Sequence, residues 1–328
     1  MVLALCAEPA RAAVIKIATL SPEGSFWMKE MRAGGKEIAE RTGNQVRFKF
    51  YPGGVMGDDK AVLRKIRLGQ LQGGAVISGS LSGVYPDNQV YTLPIAFRSF
   101  EEVDYVRGHM DAIIVEGLAQ NGLVVLGMAG GGFAYVMSRN PIQTIEDFRR
   151  QKMWVPDNDV ASLETVQAFG VKPIPLSIAD VRTGMQTGII NTIASPPVVA
   201  IALQWHTQVK YVTDTPLLYS YGFLAVDHKA FSKIRPEHQV VVREVMNHAF
   251  AKIQERNRVD NGKALVAMKS QGIEFICPSE QALTQWQATA ATVADRLIKR
   301  DKLSKQIVSI MDKHLADFRQ QQPIKQSE

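Results

Sequence analysis

Residue types able to carry chemistry are scattered through this chain, but their spacing suits no known catalytic constellation. The six histidines are His109, His206, His228, His238, His248 and His314. No two of them stand four residues apart with an intervening Glu, the arrangement that lets one helix face bind zinc. Ser80 and Ser82 lie between Gly79 and Gly83, but the middle residue is Leu81, so the sharp turn that would present a serine nucleophile is missing. The Gly-rich pieces Gly53-Gly54-Val55-Met56-Gly57 and Gly130-Gly131-Gly132 match neither a phosphate-cradling loop nor a dinucleotide fingerprint. They read as turns and a crossover. Cys277 falls in an apolar run and reads as a buried, inert thiol. Nucleophile, metal set and cofactor cradle are all lacking, so neither an enzyme nor a cofactor is expected.

The bulk of the chain fits a soluble two-domain protein. At 328 residues it is long for one domain, and 46% hydrophobic residues allow sizeable cores. A formal net charge of +6 is mild, and Lys and Arg are interspersed with Asp and Glu. Nucleic acid is excluded as a partner on this ground, because it needs a concentrated basic stripe. A short apolar run from Met1 leads to Ala10-Arg11-Ala12, which fits the small-residue cleavage signal of a secretory leader. Residues 1–12 are therefore expected to be a signal-peptide remnant, with a frayed tail as the other reading. Cys6 follows Leu5 and not a small residue, which argues against a lipid anchor. Loss of 1–12 leaves Cys277 alone, so the fold must rest on its core and not on disulfides.

The elements alternate. Strand signals at 14–19, 46–50, 74–78 and 123–128 are separated by helical patterns, which Ser25, Asp58 and Ser99 are placed to cap and Gly43 and Gly69 to end. Gly130-Gly131-Gly132 breaks this series. A second one follows, with strands at 152–155, 171–174, 189–194 and 209–213 and helices between them, then an extended stretch at 219–226. Two series predict two sheets, hence two α/β lobes. The region 236–271 is predicted to be mostly helical with Pro236 at its start, followed by a strand at 273–276 and helices at 279–300 and 304–319. The polar C-terminal end is expected to fray. Two such lobes, joined by crossing strands, enclose a cleft that closes by hinge motion, which suits a binding receptor.

With these elements in place, the chain resembles the solute receptors of TRAP transporters, the DctP-like family. The likeness runs through Tyr51-Pro52-Gly53-Gly54-Val55-Met56-Gly57-Asp58-Asp59, through Pro86-Asp87 with Tyr91-Thr92-Leu93-Pro94-Ile95-Ala96-Phe97, and through Ile145-Glu146-Asp147-Phe148 with Lys152-Met153-Trp154-Val155-Pro156. It continues in Met185-Gln186-Thr187-Gly188-Ile189-Ile190-Asn191. No single motif decides; their order and spacing do. The resemblance implies a two-lobe periplasmic-binding-protein fold, type II-like, with hinge strands and a long bridging helix. It implies one lobe from 13–134 plus 222–262, and a second from 135–221 plus 263–328 with the C-terminal helices. It further implies a periplasmic location, membrane permease subunits as partners and a small organic anion as the usual ligand. A homodimer through the C-terminal helices stays open.

The resemblance also locates departures. The family's ligand-binding arginine, whose guanidinium makes a two-pronged bond to a carboxylate, aligns with Trp154. A second arginine aligns with Ala134, a usual Asp with Asn191, and a pocket acid with Ile77. A charge-assisted bond to a carboxylate contributes on the order of 1.5–3 kcal/mol, and an indole offers one N–H and a flat face instead. The expected ligand is therefore aromatic, apolar or weakly polar. Ser78, Asn191 and the aromatic residues Phe26, Trp27, Phe133, Tyr135, Trp154, Trp205 and Tyr219 are the expected lining. A rival reading keeps an organic acid as ligand, with Arg182 replacing the lost guanidinium. An enzyme on the same clamp, using Glu23, Asp157 or Asp159, and a sensory protein are the remaining alternatives; those acids fit helix caps and surface charges better.

Overall fold

Nine strands and eleven helices follow one another through residues 12–321, the part of the chain that the computed structural model describes. The leader expected at 1–12 falls outside this range except for its last residue, and so does the polar end at 322–328. The first series is β1 (Ala13–Thr19), α1 (Phe26–Arg41), β2 (Val46–Tyr51), α2 (Asp59–Arg67), β3 (Gly73–Ile77), α3 (Phe100–Gln120) and β4 (Leu123–Ser138). Short 3-10 turns at Ser78–Leu81 and Pro86–Thr92 lie between β3 and α3. Next come α4 (Ile145–Arg149), β5 (Met153–Pro156), α5 (Val160–Ala168), β6 (Pro173–Leu176), α6 (Val181–Thr187), β7 (Thr192–Ser195) and α7 (Pro197–Ala202). The chain ends with β8 (Tyr211–Asp227), α8 (His228–Phe231), α9 (Pro236–Ser270), β9 (Glu274–Ile276), α10 (Glu280–Lys299) and α11 (Lys305–Gln321).

Local chemistry explains the boundaries. Ser25, Asp58 and Ser99 each accept a hydrogen bond from the backbone N–H three residues on, which satisfies an otherwise orphaned donor at a helix start. The full reciprocal box forms at Thr144 and Asp147. At Ser99 the box is only half made. The Glu102 carboxylate turns instead to the Arg98 N–H at 2.8 Å and to Arg319 of α11 at 2.7 Å, and so ties the C-terminal helix to α3. In β2, Val46, Phe48 and Phe50 face the core, with Phe48 only partly covered, and Arg47 and Lys49 face out, as a half-buried strand requires.

The prediction of two separate sheets needs correction. All nine strands join one sheet in the order β2-β1-β3-β8-β4-β7-β5-β6, with β9 paired to β8. The cause is the length of β4 and β8, which run antiparallel to each other through both halves. The glycine triplet, read as a break, is inside β4: the ladder passes through it with register shifts at Gly130/Gly132 and on both sides of Tyr135. The strand read at 123–128 thus continues to Ser138 as one element, and those read at 209–213 and 219–226 are likewise one. β1 is parallel to β2 and β3, and β5 is parallel to β6 and β7, so each half is a small parallel α/β unit whose inner edge is β4 or β8. The single helix α9 has 35 residues, which makes it about 52 Å long, and it packs along β4 and α1. Cys277, expected to be buried, is exposed just beyond β9.

Candidate functional site

A cavity of about 370 Å³ lies between the two halves of the sheet. Its walls come from the C-terminal ends of the parallel strands β1, β3, β5 and β7, from the first turn of α1, from α5 and α7, and from β8 and α9. This is where open α/β sheets place ligands, because neighbouring strands part there and helix starts converge.

The aromatic wall is built by packing. Trp154 on β5 is only 5% exposed yet borders the cavity, with Trp205 set edge-on against it at 5.2 Å between ring centroids. The Trp154 indole N–H donates to the Leu176 carbonyl at 3.0 Å, which holds the ring and leaves its surface to face the cavity. Opposite, Phe26 and Trp27 enter from the start of α1. Trp27 packs edge-on against Phe250 and donates its indole N–H to Asn257 of α9 at 3.3 Å. Asn257 in turn donates to the Gly130 carbonyl at 2.8 Å, and Asn261, one turn on, donates to the Gly131 carbonyl at 2.7 Å and accepts from the Val198 N–H of α7 at 3.1 Å. One helix thereby holds the cavity's aromatic wall, the middle of β4 and the start of α7.

Five of the expected residues line the cavity: Trp154, Phe26, Trp27, Ser78 and Trp205. The other five do not. Phe133 and Tyr219 are a cross-strand pair buried in the core beside Phe100. Tyr135 follows cavity-lining Ala134, but at the bulge its ring packs against the neighbouring cores and not into the cavity. Asn191 accepts from the Lys152 N–H at 2.8 Å and serves to join β5 to β7. Arg182 is exposed on α6 and away from the cavity.

Charge is distributed unevenly around this space. Among the described residues that line it there is no Lys, Arg or His, whereas Asp59, Asp159 and Asp260 are all present. Asp260 is neutralised by Arg256, at 2.8 Å, and that guanidinium also lies over the Phe26 ring, 5.4 Å from its centroid. Asp159 caps α5, accepting from the Ser162 N–H at 2.9 Å and its hydroxyl at 2.8 Å; burial pushes its carboxyl up. Asp59 accepts from the Ile77 N–H at 3.1 Å and the Ser80 hydroxyl at 2.8 Å, both on Oδ2. Burial, the larger influence, pushes its carboxyl up to about 6. Tyr221 borders the cavity with its ring, while its hydroxyl is buried away from it, and burial raises it well above the usual phenol range.

Asp59, Tyr221, Asn257 and Arg256 were not singled out in the sequence. Asp59 is hidden behind Asp58, the residue with the capping role. Tyr221 differs from Tyr219 by one strand period, and only the register decides which ring reaches the cavity. The pair Asn257 and Asn261, four apart on a long helix, was the one available signal.

Residues 17–301 match the profile of bacterial extracellular solute-binding proteins, family 7. The C4-dicarboxylate-binding periplasmic protein DctP of Rhodobacter capsulatus is 25% identical over 277 residues, covering 81% of this chain and 80% of that one. The fold is shared with a TRAP periplasmic solute-binding protein of Citrobacter koseri solved with bound D-glucuronate. The TM-score is 0.83 at 23% identity, covering 93% of this chain and 99% of that chain. It is shared equally with one of Desulfovibrio salexigens solved with bound orotic acid, at a TM-score of 0.85 and 15% identity, with 93% and 99% covered.

Proposed function

This chain belongs to family 7 of the bacterial extracellular solute-binding proteins, the DctP family, and from that premise we propose that its cavity receives a ring-bearing solute without a carboxylate. The protein is a periplasmic, non-enzymatic receptor of a TRAP-type secondary transporter, whose partners are the membrane permease subunits. The observation that carries the finer reading is the lining. Aromatic faces from Phe26, Trp27, Trp154 and Trp205 surround a space that no cationic side chain borders among the described residues. A carboxylate buried there would lose its hydration without gaining a counter-charge, which costs several kcal/mol (about 2–7 even for uncharged polar groups). The lobe boundaries fit the same picture. The register shifts in β4 around Gly130–Gly132 and Tyr135 fall at the proposed divide near residues 134 and 222, where bending is easiest.

A second reading has a specific observation in its favour. The relatives solved with ligands hold organic acids, including D-glucuronate and orotic acid. An acid would here depend on Arg256 at the rim, which would have to leave Asp260, and not on Arg182. Titration of intrinsic tryptophan fluorescence with aromatic acids and matched uncharged analogues separates the two. The uncharged compounds are expected to bind at least about tenfold tighter, roughly 1.4 kcal/mol. Tighter binding of the acids, lost in Arg256→Ala, establishes the organic-acid reading instead.

A further inference from the structure

We propose that the cavity closes by seating Asp159 of one half on the bare α-carbon of Gly79 in the other, and that this contact couples closing to proton uptake. Acid then favours the closed receptor, whichever solute the cavity takes.

Gly79 and Asp159 stand on opposite sides of the divide. Gly79 is in the 3-10 turn that follows β3, and Asp159 caps α5 just beyond β5. A Cβ on Gly79 would lie 2.8 Å from the Asp159 Cβ and closer still to its carboxyl carbon and Oδ2. The φ of Gly79 is not in the left-handed region, so the close approach and not the backbone conformation requires glycine here. Hydrogen bonds across the divide flank the contact, from the Ser82 hydroxyl to the Asn158 carbonyl and from the Ala161 N–H to Gln89. Ala161 itself is fully buried in a core that Leu81, Val90 and Tyr91 help to build. The start of α5 thus lands in a seat shaped by the other half.

The seated carboxyl has hydrogen bonds but no counter-charge. Asp159 is 7% exposed, and both its partners belong to Ser162. The turn beneath it presents Ser80, which holds the Asp59 carboxyl. β8 presents Tyr221, a neutral phenol. On α5, Glu164 is already neutralised by Arg296 and Arg300 of α10. In the small gap just outside the cavity, Asp58, Asp59 and Lys60 of one half face Asp157 of the other. Closing therefore gathers carboxylates from both sides around a single lysine. Burial in this setting raises the Asp159 carboxyl above its ordinary range. When the halves part, water reaches the group and its ordinary acidity returns. The closed form then holds the proton more tightly than the open form, so closing is favoured as pH falls and opposed as it rises. Each pH unit by which closing raises this carboxyl shifts the closed-to-open ratio about tenfold.

X-ray scattering of the intact, unliganded protein at about pH 7.5 and about pH 5 tests this without any solute. The radius of gyration is expected to be smaller at the lower pH. Asp159→Asn keeps the cap of α5, because the amide oxygen still accepts the Ser162 N–H. It should be as compact at the higher pH as the unmodified protein is at the lower one, and most of the pH dependence should be lost. Gly79→Ala should hold the receptor open at both pH values. Adding Asp159→Gly, which clears the space the new methyl needs, should restore the compact form without restoring the pH dependence. Equal radii of the unmodified protein at the two pH values, or a pH dependence that survives Asp159→Asn, overturns the coupling to protons. A Gly79→Ala protein as compact as the unmodified one overturns the seat. If Gly79→Ala does not fold, failure of Asp159→Gly to restore folding overturns the seat as well.

Discussion

Asp59 illustrates how burying one carboxyl at the cavity wall acts on stability. Its folded-state pKa of about 6 lies above its ordinary value of 3.8 because burial disfavours the charged form. Ionising it therefore costs stability: the penalty is absent below about pH 4 and complete above about pH 6. At neutral pH it amounts to at most about 3 kcal/mol. Asp59→Asn should raise stability in urea at pH 7.5 by up to that amount and leave it unchanged at pH 4. Equal stability of the two proteins at pH 7.5 would show that the carboxylate is better compensated than its surroundings suggest. The same burial explains why the sequence concealed this residue. An Asp following another Asp at a helix start looks like a second surface acid, and only the proximity of Ile77 and Ser80 makes it interior. Position 154 was easier to single out, since the family resemblance pointed to it, and its tryptophan lies on a strand end that opens into the cavity.

At the scale of elements, the contact between β4 and α9 is the most demanding. Gly132 has φ of 112°, a backbone region that side-chain-bearing residues rarely adopt, and a Cβ there would meet the Asn261 amide nitrogen at 2.4 Å. Gly132→Ala should destabilise the protein by about 2 kcal/mol or more, measured by equilibrium unfolding in urea. An unchanged midpoint would mean that β4 and α9 separate freely. Most elements could be read from the sequence: the caps at Ser25, Asp58 and Ser99, the alternation of β2, and the starts of α9, α10 and α11 all follow from local patterns. The pairing of β4 with β8 could not. A glycine triplet resembles a loop in any local window, and what makes it a strand is a partner about ninety residues away. The expected lining residues divide in the same way. Phe26 and Trp205 belong to helical turns whose direction was legible, whereas Phe133, Tyr135 and Tyr219 lie on the long strands, where a bulge changes which face a ring takes.

Across the whole molecule, the two halves are joined by the helix contacts already described, Arg319 to Glu102 and Asn261 to the Val198 N–H, and by polar contacts on the rim. The Ser82 hydroxyl donates to the Asn158 carbonyl at 2.8 Å, and the Ala161 N–H donates to Gln89 Oε1 at 3.0 Å. A solute touching both sides adds to these rim contacts and so favours the closed arrangement. X-ray scattering should show a smaller radius of gyration with a saturating ligand than without, and Gln89→Ala should enlarge the unliganded protein further while weakening binding by about tenfold. A radius indifferent to ligand would contradict this. The unbroken ladder from β2 to β6 sets how any such movement is carried. Two compartments on a loose tether could swing apart at no elastic expense, but these share a continuous woven ribbon. Parting them stores torsion in β4 and β8, so the molecule behaves as a sprung clasp, and altering the stiffness of those strands retunes affinity from positions that no solute ever reaches.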